Sequence, residues 1–158
     1  MNNPSPEDLA TWHRYFGIEA NNRAWQLTEQ PTRTEAENAE MLATAHSAAW
    51  HWAAVGTPHN TALGQMLLGQ VHALLGQGGL ALQFARASHA FVMTNESQPW
   101  ETAFAHAILA HAAAAAGDRA THVAHYLEAK ALGEALPEQQ DREIFDATFR
   151  RIPAPAAG

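Results

Sequence analysis

Apolar residues recur at spacings of three and four along most of the chain, and no stretch alternates with period two over the length of a strand. The pattern predicts seven helices and an all-α fold. Ser5 is an N-cap, Pro6 takes the first helical position and Asp8 closes a capping-box pattern. Leu9, Trp12, Phe16, Ala20, Ala24 and Leu27 then form one face, and Gln30-Pro31 stops the helix. Thr34 with Glu37 is a second capping box ahead of Met41, Leu42, Ala45, Ala48, Ala49, Trp52 and Val55, with Gly56 as a left-handed C-terminal cap. Thr57-Pro58 starts a third helix (Leu63, Leu67, Val71, Leu74) that ends at Gly76. The fourth buries Leu80, Phe84, Ala87 and Phe91 and frays at Thr94-Asn95. Pro99 opens the fifth (Trp100, Phe104, Ala107, Ile108, Ala115), and Asp118 caps the sixth (Val123, Tyr126, Leu127, Ala131). Pro137 opens a short seventh with Ile144, Phe145 and Phe149. A single domain over 5–152 is expected, with 153–158 as a flexible tail too poor in large apolar side chains to build a core.

The helices are punctuated twice in the same way. Gly76-Gln77-Gly78-Gly79-Leu80-Ala81 and Ala116-Gly117-Asp118-Arg119-Ala120 each interrupt a helical pattern and restart it, about 20 residues after a helix-opening proline. These residues resemble tetratricopeptide repeats. Leu68-Gly69 resembles the Leu-Gly of a repeat's first helix, Gly76 its turn glycine, and Ala81 the small residue that opens its second helix. In the next unit Leu109-Ala110, Gly117-Asp118, Tyr126 and Ala129 fall in matching places, with Pro137 at the end. The resemblance covers residues 58–137; the first hairpin, 5–55, has longer helices and no such signature. It implies a right-handed α-solenoid, a stack of about three antiparallel hairpins with a C-terminal capping helix. It also implies a non-catalytic module that binds a protein or peptide in a groove, and the transferred register sets Gln70 and His111 at equivalent groove-facing positions.

Composition narrows the partners. The 158-residue chain carries a formal charge of −7, the wrong sign for nucleic acid. No apolar run approaches a membrane span, and the first residues lack the basic start and apolar core of a signal peptide. With no cysteine there is no disulfide framework and no thiolate site, and a cytoplasmic location is expected. Between Met41 and Trp100 the only formal charges are Arg86 and Glu96. Helices so poor in charge are either buried on several faces or present a neutral surface for self-association as a homodimer.

Three constellations carry candidate chemistry. Asn21-Asn22-Arg23 sits mid-helix, where asparagine is a poor helix former; Asn22 is a candidate for compensating hydrogen bonds and Arg23 for holding a carboxylate. Trp50 is rotated about 200° from Trp52, so if Trp52 faces the core Trp50 is a candidate anchor for a partner. The ten histidines are the third, His122-x-x-His125-x-x-Glu128 being the best local pattern. Neither a zincin nor a di-iron signature occurs, so no metal or cofactor is assigned. No catalytic motif is found either; Ser47 beside His46 and Ser88 beside His89 point apart on their helices. The leading expectation is therefore a binding module, not an enzyme. The alternative is a metal- or small-ligand-binding helical bundle, open to enzymatic use, in which at least three of His46, His72, His106, His111, His122 and His125 converge from separate helices.

Overall fold

The computed structural model describes residues 3–156, and among these it contains seven α-helices and no strand. They are α1 (Pro6–Thr28), α2 (Glu35–Val55), α3 (Pro58–Leu74), α4 (Gly78–Thr94), α5 (Pro99–Ala116), α6 (Arg119–Glu134) and α7 (Gln139–Phe149). Of the expected tail, Ala157 and Gly158 lie outside the described residues. Among the described residues no helix is long and apolar enough to cross a membrane.

The helix starts are where the capping chemistry puts them. Ser5 Oγ accepts from Asp8 N at 3.1 Å and the Asp8 carboxylate accepts from Ser5 N at 3.2 Å. Thr34 with Glu37 and Thr57 with Asn60 repeat the reciprocal pair. Each such cap contributes about 1 kcal/mol by satisfying amides the helix leaves open. At the far end of α1, Arg33 reaches back and donates to the carbonyls of Leu27 and Gln30 at 3.2 and 3.0 Å. Gly76 (φ 70°) and Gly117 (φ 75°) close α3 and α5 in the left-handed region, which glycine enters without a Cβ clash.

Consecutive helices pack as pairs, α1 on α2, α3 on α4 and α5 on α6. Contacts between α2 and α3 and between α4 and α5 join the pairs; α3 touches α1 and α5, and α7 closes on α5 and α6. One apolar cluster lies between α1, α2 and α3 (Ala24, Leu27, Met41, Ala45, Leu67, Val71). A second runs through α4, α5 and α7 (Ala81, Ala85, Phe104, Ile108, Phe145), and Trp25 touches both. In the charge-poor middle, α3 is buried along nearly all of its C-terminal half, so charge is missing there because no water reaches it.

Several faces differ from the sequence pattern, for a common reason: small residues set the contact. In α4 the buried positions are Ala81, Ala85, Ser88 and Val92, while Leu80 and Ala87 are exposed and Phe84 and Phe91 only half-buried. A Cβ on Gly69 would stand 3.0 Å from Ile108 Cγ2 and 3.2 Å from Ala85 N, so this crossing admits only the small-residue face. In α6, His122, Ala129 and Gly133 turn inward and Leu127 outward, because Phe145 occupies the space a Gly133 side chain would need. In α1, Gly17 lies against Trp52 and His51, and this rotates Leu9, Trp12 and Phe16 into solvent. Gly56 is extended rather than left-handed (ψ −179°), and α7 starts at Gln139 rather than Pro137. The beginning of the expected tail is held down: Ile152 is buried and Pro153 O accepts a hydrogen bond from His122 Nε2 at 2.8 Å.

Candidate functional site

Four helices surround a cavity of about 300 Å³. Each contributes residues one turn apart, which share a face: Asn21, Trp25 and Glu29 from α1 and its C-cap, Leu63 and Met66 from α3, Trp100 and Phe104 from α5, Ile144 and Thr148 from α7. The rings are set edge to face. Trp25 and Trp100 stand 5.9 and 6.1 Å from Phe104, at 82° and 83° to its plane. Phe104 is in turn held by Phe145 at 5.4 Å.

The polar groups of this wall are few. Burial pushes the Glu29 carboxyl above its ordinary range, with Arg150 pulling partly the other way. Thr148 is 1 % exposed and its hydroxyl has no hydrogen-bond partner among the described residues. A polar group left this way costs about 1–3 kcal/mol unless something meets it. The cavity is thus apolar and aromatic, with one half-buried carboxylate and one orphaned hydroxyl.

The residues singled out from the sequence lie elsewhere. Gln70 and His111 do not face an open groove. They are 0 % and 5 % exposed and bond each other, His111 Nδ1 to Gln70 Oε1, at 2.8 Å. The rest of the His111 ring borders a shallow depression shared with Gly76, His122 and Pro153. Both lie where α3 meets α5, which is packed shut. Arg23 does hold a carboxylate, but the protein's own: Nε and Nη2 clamp Glu40 at 2.6 and 2.9 Å, tying α1 to α2. Asn22 is exposed, and its neighbour Asn21 is the one on the cavity wall. Trp50 is 64 % exposed and lies beside His13, ring centroids 5.1 Å apart.

The histidines pair across helices. His13 and His51 bring their Nδ1 atoms to 2.9 Å, His106 and His125 to 2.8 Å, and the His46 and His72 rings lie 5.6 Å apart. Of the six histidines from which at least three were to converge in the alternative reading, only His106 and His125 lie in a group of three among the described residues, and the third member is His89. The sequence pattern marks Trp100 only as an apolar-face residue, His89 only as one of ten histidines, and Glu29 and Thr148 not at all, although Trp100/Phe104 and Ile144/Thr148 carry the one-turn spacing that marks a shared face. Comparison with family models, with characterised proteins and with solved structures finds no match to the chain.

Proposed function

We propose that the chain is a non-catalytic ligand-binding module whose four-helix cavity takes a small organic cation, an amine or quaternary ammonium on an apolar or aromatic body. The observation that carries this reading is the setting of Glu29, a single carboxylate on a wall otherwise made of Trp25, Trp100, Phe104, Leu63, Met66 and Ile144 with two neutral polar groups. Cations are attracted to aromatic faces by roughly 0.5–1 kcal/mol in the open and about 2 when desolvated. The carboxylate adds to that attraction and repels an anion. The volume is at the lower end for ligand sites, enough for a single-ring amine. The net charge of −7 favours cations further.

The order of packing, pair on pair with α7 closing the last, supports a tetratricopeptide-like right-handed solenoid. In that reading the cavity lies against the first helices of the hairpins, α1, α3 and α5, with α7 as its lid.

Titration calorimetry with phenethylammonium and with phenylacetate, alike in size and opposite in charge, tests the reading. The amine should bind saturably and the acid should not, and Glu29→Gln should weaken the amine about tenfold. Equal binding of both, or an amine indifferent to Glu29→Gln, would sink it.

Self-association is a second reading, favoured by the exposed Trp12, Tyr15, Phe16 and Trp50 on α1 and α2. A native mass of two chains that falls to one in Trp12→Ser/Trp50→Ser supports it, and a monomeric wild type removes it.

A further inference from the structure

On the other side of α5 from that cavity's chemistry, three imidazoles meet. His89 of α4, His106 of α5 and His125 of α6 each offer one ring nitrogen, and the three nitrogens lie within 4.8 Å of one another. The rings are 4.7 Å (His89–His106), 5.1 Å (His89–His125) and 5.0 Å (His106–His125) apart between centroids. Among the described residues no other three metal-ligating side chains converge in this way. The His13–His51 pair makes the contrast, having the same close Nδ1 contact and no third ligand.

We propose that His89, His106 and His125 form a three-histidine site for a divalent transition-metal ion of the zinc class. Imidazole is a ligand for zinc, copper, nickel and iron. With neither carboxylate nor thiolate in the set, the hard cations that need oxygen and the soft ones that need sulfur are both disfavoured. Nitrogens bound to one tetrahedral zinc at ~2.1 Å stand about 3.4 Å apart. The His106 and His125 Nδ1 atoms, at 2.8 Å, would open by a little over half an ångström while His89 draws in, which ring rotations supply without moving a helix.

The surroundings suit a ligand set. In the metal-free protein, the close pair of Nδ1 atoms holds a proton between two rings that lack any carboxylate partner in hydrogen-bond reach. His89 Nε2 is buried with no hydrogen-bond partner among the described residues. When an ion binds, the proton shared between the two Nδ1 atoms moves to the Nε2 of the ring that carries it, a tautomer change that frees both Nδ1 lone pairs. Glu128, one turn beyond His125 on α6, is a carboxylate acting on that ring, and its sign favours a cation. Tight packing at Ala85, Ser88, Ala105, Ala107 and Ala129 fixes the three helices that carry the rings. The rings themselves are half-buried, leaving a path for the ion and a fourth position for water. Three neutral imidazoles with one open position make up the ligand set of a zinc site with a bound water.

Cobalt(II) titration of the tag-free chain tests the site, because tetrahedral cobalt reports its own geometry in the visible spectrum. One ion per chain should bind with intense visible bands that zinc then abolishes. His89→Gln, His106→Gln and His125→Gln should each weaken binding by about 100-fold or more, given that loss of even an outer partner costs 10–100-fold. The double variant His13→Ala/His51→Ala should bind like the parent. Far-UV circular dichroism establishes that each variant is folded, and zinc should raise the melting temperature of the parent and not that of the His106→Gln chain. No binding, or binding equally strong after His106→Gln, overturns the proposal.

Discussion

Acid should weaken this fold through one buried imidazole. His111 is 5 % exposed, bonded to Gln70, and held at a pKa of about 4 against an ordinary 6.5, first by burial and then by repulsion from His122 and Arg33. The folded state binds this proton less well than the unfolded chain does. The group's contribution is therefore intact above pH 6.5 and is lost as the pH falls through 6.5 toward 4. At 1.36 kcal/mol for each tenfold change in proton affinity, the loss is about 2 kcal/mol at pH 5 and about 3 kcal/mol below pH 4. Removing His111 alone would leave Gln70 without its bond, and Gln70 Nε2 already has no partner among the described residues. Gln70→Leu/His111→Leu removes both polar groups together, a change that is close to neutral or stabilising at pH 7.5. Urea denaturation of the parent and the double variant at pH 7.5 and pH 5 isolates the effect, since the other depressed histidines titrate alike in both proteins. The parent should lose about 2 kcal/mol more than the variant between the two pH values. A difference below about 0.5 kcal/mol would refute the claim that this imidazole is buried neutral.

Three further outcomes test the packing. A Cβ on Gly78 would stand 2.5 Å from the Ala116 backbone, while one on Gly79 meets nothing within 4 Å. Gly78→Ala should therefore destabilise by about 2 kcal/mol or more, and Gly79→Ala, in the same helical turn, should stabilise by roughly 0.5 kcal/mol in thermal unfolding. Phe145 is fully buried between Phe104 and Phe149, and Phe145→Ala should cost about 3–5 kcal/mol by chemical denaturation. Amides of α6 and α7, which bury few large side chains, should exchange hydrogen faster than those of α3 and α5, and uniform protection would contradict the two-cluster core.

What the sequence made legible was local, and what it hid was the pairing of faces. Ser5 with Asp8 and Thr34 with Glu37 announce their helices because a cap is settled within four residues. On α4 apolar periodicity favours Leu80, Phe84 and Phe91 as the inward face, whereas the crossing at Gly69 has room only for Ala81, Ala85 and Ser88. Hydrophobicity ranks side chains by their transfer from water, but two helices in close contact select by size, and the second criterion needs the partner helix to be known. The same ignorance concealed the sites. Glu29 and Thr148 are 119 positions apart in a chain that gives each an unremarkable context, and they share a wall only because α7 packs back on α5 and α6 while α1 lines the same cavity. His89 was passed over for a related reason. The local pattern drew attention to His122 and His125 on one helix, yet His122 turns inward to cap Pro153 while His125 turns toward α5 and meets His106. Histidines three apart on a helix compete for different neighbours, so a metal site assembled from three helices leaves its clearest trace in the small residues, Ala85, Ala105 and Ala129, that let those helices approach.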